Sequence, residues 1–274
     1  MQDKGLTAEA AMFRPLSDKG AKLGESPVWS ARDGAVWWVD IDGRQLLRTR
    51  MDGSTDAWQT SETPGFVQIL GDDVVLGMES GLFRFAPDAG FARIAELAAK
   101  GQRFNDACLD AQGRLWAGTM DREARRDDGV LYLYEAGGQL RPVLDGFRII
   151  NGLAWDDTRQ RLYLSDSHPE VQTVWTCSVG PEGKPGNRAT FAAFHDLKGR
   201  PDGALVDPGG AYWIAGVGGA QIYRYAPDGR LMATYDVPVA APTKPALSPG
   251  GMVLTSKHDA QGLGRLHLWA SPPV

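Results

Sequence analysis

Apolar and polar residues along this chain alternate with a short period, in runs of four to six residues closed by Gly, Asp or Pro. Runs of that kind read as strands, because successive strand side chains point to opposite faces. Helical spacing is nearly absent; only two short alanine-containing pieces, near 7–12 and 93–100, carry it. Tight-turn dipeptides punctuate the strands at Asp33-Gly34, Asp42-Gly43, Asp52-Gly53, Asp202-Gly203 and Asp228-Gly229. Both residues of such a pair tolerate positive φ, which hairpin turns require.

The strands recur in a longer cycle. A polar residue opens an apolar stretch, a turn follows, and a second stretch rich in aromatic and β-branched residues returns. The pairs are Glu25-Ser-Pro-Val-Trp29 with Val36-Trp-Trp-Val-Asp40, and Asn105-Asp-Ala-Cys-Leu-Asp110 with Arg114-Leu-Trp-Ala-Gly118. Asn151-Gly-Leu-Ala-Trp-Asp156 precedes Arg161-Leu-Tyr-Leu-Ser-Asp166, and Asp202-Gly-Ala-Leu-Val-Asp207 precedes Ala211-Tyr-Trp-Ile-Ala215. Third strands follow, as in Gln45–Arg50, Gln221–Tyr225 and Arg265–Trp269. Repeats begin near Glu25, Thr63 to Val67, Asn105, Asn151, Asp202 and Lys244, at intervals of roughly 40 to 50 residues, the length of a four-stranded propeller blade. The pattern predicts an all-β chain, one six-bladed β-propeller over residues 1–274 with no linker or second domain. The segment Ala10 to Phe13 is expected to add the outer strand of the last blade, closing the ring and protecting its edges.

In such a ring the first residue of each innermost strand lies near one mouth of the central channel. Glu25, Asn105, Asn151 and Asp202 would meet there, while the other two blades offer Gly65-Phe66-Val67 and Pro245-Ala246-Leu247. Asn and Asp also cap turns through their own backbone, the competing explanation. A glutamate suits that use poorly, and a structural repeat would tend to keep one residue type. Two carboxylates and two amides form an oxygen-rich set suited to one divalent cation. Ca²⁺, Mg²⁺ and Mn²⁺ fit best, with Zn²⁺ or Fe²⁺ also within its range. The four histidines are scattered and there is no Cys-x-x-Cys, which argues against a structural zinc site. Alternation puts Arg103 and Asn105 on one strand face and Phe104 and Asp106 on the other. Arg103 would hold an anionic or polyhydroxylated ligand, or else pair with Asp106. The charged loop 121–128 is a solvated connection or a lid over the mouth.

Composition narrows the classes further. A net charge of −5 gives no basic footprint for nucleic acid. No apolar run reaches the ~18 residues of a membrane span, and the N-terminus lacks the basic head and apolar core of a secretion signal. A soluble cytoplasmic protein is expected, with Cys108 and Cys177 as buried thiols. Oligomeric state is not encoded in any feature of the sequence. Nucleophile elbows, Cys–His pairs and phosphate-binding glycine loops are missing, so any chemistry should be metal-assisted, with a carboxylate moving the proton.

These residues resemble the regucalcin, gluconolactonase and luciferin-regenerating enzyme family. The resemblance rests on Leu23-Gly-Glu-Ser-Pro-Val-Trp29, Arg103-Phe-Asn-Asp106 with Gly113-Arg-Leu-Trp-Ala-Gly-Thr-Met120, Asn151-Gly-Leu-Ala-Trp155 with Leu162-Tyr-Leu-Ser-Asp-Ser167, and Arg200-Pro-Asp-Gly203. It covers almost the whole chain in order. It implies one divalent cation held by Glu25, Asn151 and Asp202, a sugar lactone as substrate bound by Arg103 and Asn105, and Asp202 as general base. Glu123 falls at a position that contacts substrate in some relatives. The family's Pro-Thr and Phe-Gly-Gly tail pattern is altered here to Pro242-Thr-Lys-Pro-Ala-Leu-Ser-Pro-Gly-Gly251. The expected activity is hydrolysis of an aldonolactone to its sugar acid. An esterase or organophosphate hydrolase of related propeller type, and a non-enzymatic metal-binding propeller, are the alternatives.

Overall fold

A computed structural model describes residues 9–10, 12–258, 260 and 262–274. Among them there is no α-helix, so none that could cross a membrane. Six antiparallel sheets follow one another around an axis, each built from the inside outward. Blade 1 runs Gly24–Ser30, Ala35–Asp40, Gln45–Arg50 and Thr55–Gln59, and blade 2 runs Phe66–Leu70, Asp73–Gly77, Gly81–Ala86 and Gly90–Glu96. Blade 3 comprises Gln102–Leu109, Leu115–Asp121, Gly129–Tyr134 and Arg141–Phe147. Blade 4 comprises Ile150–Asp156, Arg161–Asp166, Thr173–Ser178 and Ala189–Ala193. Blade 5 contains Arg200–Val206, Tyr212–Val217, Gln221–Tyr225 and Leu231–Asp236, and blade 6 contains Pro242–Ser248, Gly251–Ser256 and Leu266–Trp269. The predicted six-bladed propeller is the fold observed.

The ring is closed by the N-terminal segment, though not by the residues expected. Arg14–Pro15 pairs with Leu268 and His267 as the fourth strand of blade 6. Phe13 packs edge-on against Trp269 at 5.5 Å, and Glu9–Ala10 instead adds a parallel fifth strand to blade 5 at Tyr235 and Asp236. The proline explains the shift: it suits a short edge strand, where its missing N–H disturbs no ladder. Residues 7, 8 and 11 of the first helix-like piece lie outside the described residues. The second piece, 93–100, is not helical, because Gly90–Glu96 pairs along Gly81–Ala86.

The recurrent tryptophans have a local cause. The turn between the first and second strands carries an aspartate that accepts the indole N–H of the second strand, as in Trp37 to Asp33 (2.8 Å), Trp116 to Asp110 (3.0 Å) and Trp213 to Asp207 (2.8 Å). Each pair ties a buried aromatic ring to the turn that reverses the chain, so the indole donor is not stranded in an apolar core. At the opposite end of the second strand, Asp40 and Asp166 accept backbone N–H groups of the adjoining loops. The cores lie between neighbouring blades: Trp37 and Val39 pack on Leu76 and Phe85, and Trp213 and Ile222 pack on Met252 and Leu254. Cys108 and Cys177 are buried free thiols.

Innermost strands converge on the channel and approach closely. A Cβ at Gly65 would stand 2.0 Å from the Phe104 carbonyl oxygen, so only glycine lets blade 2 lie this near blade 3. Five inner strands carry a bulge at the channel, between Glu25 and Val28, Phe104 and Asp106, Asn151 and Ala154, Pro201 and Ala204, and Pro242 and Pro245. A bulge re-aims the side chains next to it, and the candidate residues sit at these bulges.

Candidate active site

Glu25 and Asn151 are the last paired residues before their bulges, whereas Asp202 is the first residue inside its own. The residue after Glu25 is Ser26, at φ 51°, and the residue after Asn151 is Gly152, at φ 62°. Glycine takes that conformation freely. Ser26 is held in it by two bonds across to blade 2, Oγ to the Val67 carbonyl (3.0 Å) and the Val67 N–H back to Oγ (3.1 Å). Three blades thereby turn one polar side chain each inward, where Glu25, Asn151 and Asp202 are buried, 9, 6 and 7% exposed.

Asn151 and Asp202 are in direct contact, and the charge of Glu25 acts on Asp202. The Asn151 amide donates to Asp202 Oδ1 at 2.7 Å and to Ser167 Oγ at 2.9 Å. The Ser167 hydroxyl in turn donates to the Pro201 carbonyl. With both amide protons engaged, the Asn151 carbonyl oxygen is what this side chain has left for a ligand. Burial, and then the charge of Asp106, raises the Glu25 carboxyl to about 8; the Ser26 N–H, Lys244 and Arg103 pull the other way. Burial, followed by Glu25 and Asp106, holds Asp202 well above the ordinary carboxylate range. Two acids that disfavour each other's ionisation want positive charge between them.

Arg103 and Asn105 are brought to the same mouth. Arg103 Nη1 donates to Asn105 Oδ1 (2.8 Å) and to the Phe104 carbonyl (2.9 Å), and Asn105 Nδ2 donates to the Ile150 carbonyl (3.0 Å). The expected side-by-side placement of Arg103 and Asn105 therefore holds, and Asp106 is not the partner of Arg103. Burial lowers the proton affinity of the Arg103 guanidinium, while Asp42, Glu25 and Glu79 support its charge. Glu123 stands apart: it is exposed on the 122–128 loop and pairs with Arg125 at 3.1 Å.

Strict alternation misplaces Asp106. The strand slips register between Phe104 and Asp106, which returns Asp106 to the channel side. There its carboxylate meets Lys244 Nζ at 2.5 Å and the Leu153 N–H at 2.8 Å. Sequence reasoning missed this pair; the signal was a lysine between two short residues in an otherwise apolar inner strand. Ser167, holding Asn151, was also missed.

The donor set fits a hard divalent cation: two buried carboxylates and an amide oxygen. Among the described residues no three His, Cys, Asp or Glu side chains form a metal-ligating group, so the set depends on Asn151 as its third member.

Residues 23–257 match the family model described as the SMP-30/Gluconolactonase/LRE-like region. The chain is 31% identical over 258 residues to a 6-deoxy-6-sulfogluconolactonase of Pseudomonas putida, covering 90% of this chain and 87% of that protein. It is 34% identical over 244 residues to an L-arabinolactonase of Azospirillum brasilense, covering 86% and 81%. Among solved structures, a calcium-binding protein, regucalcin, from Agrobacterium tumefaciens superposes with a TM-score of 0.88 at 26% identity, over 96% of this chain and 95% of that one.

Proposed function

The chain belongs to the SMP-30/gluconolactonase/LRE-like family, and from that premise we propose that it hydrolyses a sugar lactone to the open sugar acid with one divalent cation held by Glu25, Asn151 and Asp202. The observation that carries this reading is the burial of two carboxylates, Glu25 and Asp202, on inner strands, with Asn151 donating to Asp202 at 2.7 Å. The oxygen-only donors favour Ca²⁺, Mg²⁺ or Mn²⁺ over softer ions.

When bound, the cation supplies positive charge toward the lactone carbonyl oxygen as negative charge develops there. Asn151 fixes Asp202 through Oδ1 and leaves the other carboxylate oxygen to take the proton of the attacking water. Water oxygen bonds to the carbonyl carbon, the ring C–O bond breaks, and Asp202 returns the proton to the leaving ring oxygen. Asn105 spends its amide on the Ile150 carbonyl and its oxygen on Arg103, which locks both side chains against the strand. The remaining Arg103 donors are then aimed at ring hydroxyls, converting binding energy into alignment. Glu123 joins the substrate in this reading only when the 122–128 loop folds over the mouth and Glu123 exchanges Arg125 for a ring hydroxyl.

A continuous acid-release assay tests the proposal, using chelator-stripped protein reloaded with one metal at a time against sugar lactones, aryl esters and phosphotriesters. Lactone turnover that appears with a divalent cation and falls by about a hundredfold or more in Asp202→Ala is expected. Near-normal turnover in that variant, or turnover of esters and phosphotriesters alone, refutes it.

A further inference from the structure

One step deeper along the inner strands, the channel holds a charged pair that the proposed hydrolysis does not use. Lys244, from blade 6, reaches across to blade 3 and places Nζ 2.5 Å from Asp106 Oδ1 and 3.0 Å from the Ala107 carbonyl. The two side chains are 5 and 3% exposed. Asp106 also accepts the Ala107 N–H at Oδ1 and the Leu153 N–H at Oδ2, both at 2.8 Å. Blade 5 makes room for the lysine: a Cβ at Gly203 would lie 2.4 Å from Lys244 Cβ and Cγ. The far end of the channel opens as a funnel of about 520 Å³, walled by Val28, Leu109, Trp155, Leu205 and Leu247, with Lys244 also in its lining. The ion pair thus lies between that funnel and the candidate site, as the floor of the pocket.

The pair governs how much charge the pocket presents. Asp106 holds the Leu153 N–H two residues beyond Asn151, and Lys244 packs against Gly203 beside Asp202, so the pair borders two of the proposed ligands. A pocket with three free carboxylates would hold a divalent cation more tightly than one with two. We propose that Lys244 is a resident counter-ion that withdraws Asp106 from the pocket, leaving Glu25 and Asp202, among the described residues, as the carboxylates without a cationic partner there and so setting the affinity for the cation. This rests on the cation site proposed above and adds to it a residue outside the ligand set that tunes it.

The test is titration calorimetry of Ca²⁺ or Mn²⁺ into chelator-stripped protein, with the fold of each variant checked by circular dichroism. Lys244→Met keeps the stem and removes the amine; with Asp106 freed toward the pocket, the cation should bind about tenfold tighter or more. Asp106→Asn leaves the amine unpaired and should weaken binding by a similar factor. The double variant removes both charges and should return to within about threefold of the parent, the signature of a coupled pair. A role confined to bracing the blades predicts that both single variants lose affinity together; that result, or unchanged affinity in two folded single variants, overturns the proposal. Should Lys244→Met fail to fold, recovery of affinity in the double variant relative to Asp106→Asn supports it, and no recovery overturns it. A parent protein that binds neither ion removes the cation site itself and this inference with it, an outcome distinct from the other failures.

Discussion

Stripping divalent ions from the protein should make its stability fall as pH rises through neutrality. The cause is Glu25, whose carboxyl is raised from 4.5 to about 8 by burial and then by Asp106. A raised acid binds its proton more tightly in the folded chain than in the unfolded one. Its contribution is therefore complete below about 4.5 and disappears as pH climbs through about 8. The interval of roughly 3.5 pH units, at about 1.4 kcal/mol each, amounts to roughly 5 kcal/mol. For a chain of this size that corresponds to a Tm lower by ~10 °C or more. Asp202 is shifted in the same direction and adds to the slope. A divalent cation works in the opposite sense, since it binds the ionised acids and stabilises the folded state by mass action. Melting curves from pH 5 to pH 9, with chelator and with millimolar Ca²⁺ or Mn²⁺, should converge at the acidic end and separate at the alkaline end. Glu25→Gln, which keeps the shape without the titration, should flatten the chelated curve. A chelated Tm that stays level or rises between pH 5 and pH 8 would refute the reasoning.

Other perturbations probe the frame. Gly65→Ala forces a Cβ to 2.0 Å from the Phe104 carbonyl and 2.9 Å from the Asn105 amide nitrogen; it should cost about 2 to 3 kcal/mol in urea unfolding and raise KM through the Arg103–Asn105 strand. Asp207→Ala strands the Trp213 indole N–H and the Arg224 guanidinium, which it now meets at 2.8 and 3.1 Å. A loss of about 3 kcal/mol is expected, and a loss under about 1 kcal/mol would show that the clasp is dispensable. Glu123→Ala should leave stability within about 0.5 kcal/mol, because its ion pair with Arg125 is exposed. A KM increase above about tenfold in that variant would show the loop closing on substrate, and an unchanged KM would remove Glu123 from the substrate contacts.

The blades were readable because their signals are local. Each hairpin is announced by a turn dipeptide and an alternating run, and each of Trp37, Trp116 and Trp213 answers an aspartate only four to six residues before it. The meeting of Glu25, Asn151 and Asp202 followed from repeat position alone, since equivalent positions in a ring share an axis. What escaped the pattern depends on register. The slip between Phe104 and Asp106 changes which face Asp106 occupies, and a one-residue shift in a strand inverts every later side chain. Closure by Arg14–Pro15 in place of Ala10 to Phe13 is the same kind of miss, an offset along a short edge strand with little side-chain pattern to pin it.

The departure in blade 6 joins these two levels. Pro242-Thr-Lys-Pro245 puts a lysine on the inner strand of blade 6, and the register slip in blade 3 presents an acid to the same space. Either change alone would leave an unpaired charge buried among apolar strands, at a cost of several kcal/mol. Together they cancel, Lys244 against Asp106 at 2.5 Å, and Gly203 in blade 5 supplies the room. Three blades therefore have to agree at one point on the axis. The residues around that point should then tolerate substitution in matched sets better than singly, and the double variant at 106 and 244 measures that coupling directly.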